Sequence, residues 1–173
     1  MKRRLIIPGL SIVLAAAVLG WANQSEAPLA QHAQADLVVV EKSKRELIVY
    51  RKGKPLRSYK IALGRVPLGP KQREGDGKTP EGQYLIDYHK PDSAYFRALH
   101  ISYPSPADVQ AARKASVSPG GAVMIHGLPN GLGWVGKLHR LFDWTLGCVA
   151  VTNPEMEELW RVVPDGTRIV LNP

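Results

Sequence analysis

Residues 37–63 read LVVVEKSKRELIVYRKGKPLRSYKIAL. Three strand-like runs, at 37–41, 46–51 and 56–63, are separated by polar turns at Lys42 to Arg45 and at Lys52-Gly53-Lys54. Apolar and polar residues alternating with a period of two, cut by short polar turns, are the pattern of a β-meander.

Working toward the C-terminus, glycine and proline punctuate residues 64–82 so densely that neither helix nor regular strand is expected there. We expect an ordered surface loop, then a strand at Gln83 to Tyr88. Pro106 to Ala115 predicts a short helix capped by Ser105, with proline at its first position. AVMIH at 122–126 reads as a buried strand. Thr152-Asn153-Pro154-Glu155 combines a Thr-x-x-Glu capping box with an early proline, predicting a helix that runs to Pro164. Asp165-Gly166 then turns into a last strand, TRIVL. Many short strands with one or two short helices predict a mainly β domain, of the β-rich α+β kind, built from two packed, curved mixed sheets.

Toward the N-terminus, Lys2, Arg3 and Arg4 precede an apolar run from Leu5 to Ala22 that ends in small residues. This is the pattern of a signal peptide, with an uncleaved membrane anchor as the alternative. Residues 23–35, NQSEAPLAQHAQA, are small and polar without a period and read as a flexible linker. The expected organisation is therefore a targeting segment at 1–22, a linker at 23–35 and one domain at 36–173. Membrane association is expected only if the first segment is retained. The formal net charge is +8, of which Lys2, Arg3 and Arg4 supply three. The remaining Lys and Arg are scattered without the aromatic-interleaved basic stripe that single-stranded nucleic acid needs, so no nucleic-acid partner is expected.

The chain has one cysteine, Cys148, in DWTLGCVAVTN at 143–153. Without a second cysteine it is a buried small hydrophobe, an intermolecular link or a working thiol. Gly147 permits close backbone approach, and Val149 to Val151 read as a strand, so the thiol stands at a loop-to-strand junction where amides can face a developing oxyanion. A working thiol needs a base. The histidines in the domain are His89, His100, His126 and His139. His126 ends an apolar strand before Gly127, while His139 lies in KLHRLFDW; spacing does not choose between them. The single cysteine excludes a zinc-thiolate cluster, HExxH spacing is absent, and no metal or other cofactor is expected.

Ile125-His126-Gly127 followed by Thr145-Leu146-Gly147-Cys148-Val149 resembles the L,D-transpeptidase (YkuD) catalytic domain. The resemblance runs over about residues 36–172 and includes IALG at 61–64, Thr79-Pro80-Glu81-Gly82 and the helix, DGT, strand ending. It implies that Cys148 is the nucleophile and His126 the proton acceptor and donor, with Gly127 orienting the imidazole. The amides around Thr145, Gly147 and Cys148 are implied as the oxyanion hole, and peptidoglycan stem peptides as the substrate, in the cell envelope of an exported protein. The sequence departs from the family pattern at Leu146, where histidine is usual, and at Ala150, where Arg or Asn is common. The segment between His126 and Cys148 is also longer than usual. Asp143, Trp144, Arg140, His139 and Asn153 are the candidates to replace the missing substrate contacts, and the Asp-Trp-Thr-x-Gly-Cys form marks a variant of the motif.

Overall fold

The computed structural model describes residues 8–173. The basic leader Lys2 to Arg4 lies outside the described residues. The apolar run forms helix α1, Pro8–Ala22, and among the described residues no helix is long and apolar enough to cross a membrane.

The meander forms as its alternation dictates. Strands β1 (Leu37–Glu41) and β2 (Glu46–Arg51) bury every second side chain, and β3 (Lys54–Lys60) completes the antiparallel trio. The chain continues through β4 (Gly82–Ser93), β5 (Phe96–Ile101), helix α2 (Pro106–Lys114), β6 (Met124–His126), β7 (Val149–Ala150), helix α3 (Asn153–Val162) and β8 (Thr167–Asn172). One eight-stranded sheet results, in the order β3-β2-β1-β8-β4-β5-β6-β7. It is mixed: β1 pairs with β8 in parallel, as does β6 with β7.

The two curved layers expected from sequence are parts of this one continuous ladder, which curls until its far ends meet. Just beyond β3, Ala62 exchanges both backbone hydrogen bonds with Ala150 of β7, at 3.0 and 2.8 Å. Gly64 bridges Thr145 beside the cysteine. The inner face holds Val38, Val40, Leu47, Val49, Leu99, Ile125, Val149 and Ile169, sealed by Met156, Leu159 and Val162 of α3. Both expected caps form: Ser105 with Asp108 opens α2, and Thr152 with Glu155 opens α3.

Strand β4 runs past Tyr88 to Ser93 because β5 pairs with it across a hairpin. β5 itself has no clean alternation: Ala98 and Leu99 are both buried neighbours, so a period-two search passes over it.

Residues 23–35, expected as a free linker, lie against the domain. Glu158, nine-tenths buried on α3, accepts from the Leu29 amide at 2.6 Å, Arg57 at 3.0 Å and the Tyr59 hydroxyl at 2.9 Å. Arg161 donates to the carbonyls of Leu29, Ala30 and Gln31. Removing one member of a buried ion pair leaves the other charged and unpaired. Glu158→Ala is therefore expected to cost about 3–5 kcal/mol of stability by urea denaturation, and a cost below 1 kcal/mol, roughly the value of a surface pair, would show that this clamp carries no weight.

Candidate active site

Parallel pairing sets Ile125 opposite Val149 and His126 opposite Ala150. Ile125 and Val149 are fully buried in the core. Because side chains alternate along a strand, His126 at the end of β6 and Cys148, the residue just before β7, both project to the other face.

His126 is 4% exposed. Its Nδ1 lies 2.7 Å from the Gly127 carbonyl oxygen; a carbonyl only accepts, so Nδ1 carries the proton and Nε2 keeps a free lone pair. Burial pushes the imidazole down to about 4, against a smaller upward pull from that hydrogen bond. The ring is held between aromatic neighbours, with Tyr95 at 4.5 Å and Trp144 at 5.7 Å between centroids. Tyr95 sits in the β4-β5 hairpin turn, so reading the sequence without that hairpin missed it.

Cys148 sits at a strained turn. Gly147 has φ +132°, and a Cβ there would lie 2.5 Å from the Lys78 carbonyl oxygen, so the residue must be glycine. Thr145 is buried and buckles the turn: its hydroxyl donates to the Cys148 carbonyl at 2.8 Å and accepts from the Gly147 amide at 3.1 Å. Asp143 ties the preceding residue pair down, accepting from Arg45 at 3.0 and 2.8 Å and from the Leu63 amide at 2.9 Å. The Cys148 Sγ is 3.7 Å from the Ala122 carbonyl oxygen. Burial raises the thiol above its ordinary value, while the Met124 amide and the Lys71 ammonium pull it back.

Several expected roles change. The Thr145 amide donates to Leu63 O at 3.1 Å, and the Gly147 amide is taken by the Thr145 hydroxyl. Neither is free for an oxyanion, which leaves the amides of Leu146 and Cys148 as candidates. Arg140 is paired with Glu155 at 2.5 Å and is not a free substrate contact. Asn153 accepts from the Leu128 amide at 2.8 Å and packs so closely that a Cβ on Gly127 or Gly133 would lie 2.7 Å from its side chain. It clamps the loop after His126. His139 is buried and accepts from Trp144 Nε1 at 3.4 Å, so it positions Trp144. Of these side chains, Trp144 is the one packed against His126.

Beside Trp144 lies an apolar hollow of about 230 Å³ lined by Leu128, Leu132, Val135 and Phe142 among others. A larger cavity, about 670 Å³, lies between residues 21–28 and α3, and Cys148 does not line it.

A model of the L,D-transpeptidase (YkuD) catalytic domain matches residues 35–171. The chain belongs to the L,D-transpeptidase catalytic-domain family. It is 37% identical to YafK of Escherichia coli (strain K12) over 111 residues, 62% of this chain and 37% of YafK. It is 30% identical to YqjB of Bacillus subtilis (strain 168) over 138 residues, 78% of this chain and 69% of YqjB. Among solved structures, the helical cell shape determining protein Pgp2 of Campylobacter jejuni superposes with a TM-score of 0.62 at 26% identity, covering 91% of this chain and 54% of Pgp2. The chain thus spans little more than a third of YafK and about half of Pgp2. The mainly β, curled mixed sheet is shared with these structural neighbours.

Within the family, the two departures have different structural meanings. Ala150 is fully buried and paired with Ala62 through the backbone, so a long basic side chain has no room there. Leu146 is 68% exposed and stands at the lip of the cysteine turn.

Burial is also expected to make the domain acid-sensitive. His126 and His139 are both pushed down to about 4, in each case chiefly by desolvation. An unfolded imidazole takes its proton at about 6.5. Between those values the unfolded chain binds more protons, so stability falls as the pH drops through this window and levels off below it. Urea midpoints at pH 7, 5.5 and 4 are expected to decline in that order; a flat series would contradict the burial of these rings.

Proposed function

We propose that this domain is a cysteine acyltransferase acting on peptidoglycan stem peptides in the cell envelope. Cys148 attacks the carbonyl carbon of the diamino acid at position three; the bond to the terminal D-alanine nitrogen breaks and a thioester forms. Nε2 of His126 takes the thiol proton and passes it to the leaving amine. An amine of a neighbouring stem then attacks the thioester, giving a cross-link and regenerating the thiol. Water in its place gives a trimmed stem.

The observation that carries this reading is the placement of Cys148 and a neutral His126, with its Nε2 lone pair free, on one face of adjacent parallel strands. The family membership supports the substrate class. An export signal is supported by the basic leader and the apolar run, and a part in cell shape by the name of Pgp2.

Incubating the purified domain with tetrapeptide muropeptides and weighing the products tests the proposal. Cross-linked dimers identify a transpeptidase and tripeptides a carboxypeptidase. A folded domain that yields neither, and takes no adduct at Cys148, is a wall-binding module instead.

A further inference from the structure

The Cys148-His126 pair poses an electrostatic problem. Burial raises the thiol, and the imidazole beside it stays neutral down to about 4, so neither group draws the other into an ion pair at rest. A fixed cation near Sγ eases the same ionisation.

The loop at 64–82 provides one. Lys71 is 8% exposed and lies behind the cysteine turn: a Cβ built on Gly147 would be 4.0 Å from its Nζ. Asp76 organises the loop that holds it. Its carboxylate accepts from the amides of Gln72 at 2.8 Å, Arg73 at 3.1 Å and Lys78 at 3.1 Å, and from Lys71 Nζ at 3.0 Å. Lys71 also donates to the Arg73 carbonyl at 3.0 Å. An ammonium has three donors, so one remains after these two bonds. The same loop presses the Lys78 carbonyl onto Gly147. The ammonium and the turn are thus placed by one piece of backbone.

We propose that Lys71 is a positioning residue for catalysis, a buried cation whose field stabilises the Cys148 thiolate, with Asp76 setting how much of that field the sulfur feels. The proposal rests on Cys148 being the working nucleophile. The other titratable groups of the site are His126 on β6 with Tyr95 against it, His139 beside Trp144, and the Arg140-Glu155 pair. Of these, His126 is neutral above about pH 4, and Arg140 is balanced by Glu155. Lys71 is the cation that acts on the thiol.

The pH dependence of Cys148 alkylation by iodoacetamide reads the thiolate directly, whether or not the domain turns over stem peptides, so it separates failure of this inference from failure of the proposed activity. In Lys71→Met the inflection is expected to rise by about one pH unit, slowing alkylation roughly tenfold at pH 7.5. Lys71→Arg is expected to stay near the wild-type curve. Asp76 retains its three backbone donors in the methionine variant, which favours an intact loop. Asp76→Asn provides an independent arm: it leaves the ammonium unbalanced, and the inflection is expected to fall. A Lys71→Met curve that superimposes on the wild type, or faster alkylation from an opened loop, overturns the proposal. An Asp76→Asn inflection that rises or stays in place does so as well.

Discussion

Cys148→Ala is expected to leave a folded domain that forms no covalent adduct with a carbapenem or any other acylating electrophile. The substitution replaces a small, half-buried thiol by a smaller apolar group, so stability should change little. His126→Ala keeps the thiol but removes the base, and acylation is expected to slow by about 10²- to 10⁴-fold. The size of that loss follows from the geometry. With Nδ1 tied to the Gly127 carbonyl, Nε2 is the one nitrogen able to accept a proton. An imidazole pushed down to about 4 does not hold the thiol proton in the resting domain. In the proposed mechanism it takes the proton as sulfur attacks, so removing it is expected to strip a contribution made in the transition state. His139→Ala should weaken acylation without abolishing it, because His139 acts through Trp144. Adduct formation followed by intact mass separates the three variants, and a larger loss in His139→Ala than in His126→Ala would reverse the assignment of the base.

Gly147→Ala is expected to cost both stability and chemistry. The backbone there has φ +132°, and the new Cβ would lie 2.5 Å from the Lys78 carbonyl oxygen. Neither atom belongs to a flexible side chain that can swing aside. Strain and overpacking together should destabilise the domain by about 2–4 kcal/mol. Relief requires the turn to back away from the loop at 71–78, which moves the sulfur relative to His126; shifts of about 1 Å in a reacting group cost on the order of 10²-fold. Gly121→Ala is the control, since a Cβ there meets nothing within 4 Å. Urea midpoints and adduct rates for the two variants check the expectation. Equal behaviour would show that the turn yields.

Much of the fold was legible because its signals are local. β1 and β2 appear at the boundaries their alternation predicts, and α2 and α3 start where Ser105 and the Thr152-Glu155 box place them. β5 was not legible, since its buried residues are set by partners on both sides rather than by a period of its own. The contacts of residues 23–35 were not legible for a similar reason. Their small polar sequence makes no core, but their backbone amides and carbonyls find Glu158, Arg57 and Arg161, far along the chain.

The site divides in the same way. The motif residues themselves, His126 at a strand end before Gly127 and Cys148 after Gly147, could be read from the sequence. Which side chains were free to serve could not. Arg140 and Asn153 look available as residues, yet Glu155 and the Leu128 amide occupy them. Tyr95, Lys71 and Lys78 carried no signal near the cysteine motif: Tyr95 reaches His126 because β5 pairs with β6, and the loop of Lys71 and Lys78 meets the Gly147 turn where Gly64 bridges Thr145. By itself the sequence determined the strands, the caps and the two candidate residues for the proposed chemistry, because each depends on neighbours a few positions away. The tertiary structure decided which amides and charges face the sulfur, because a hydrogen bond or a buried ion pair is claimed by whichever partner folding brings within about 3 Å.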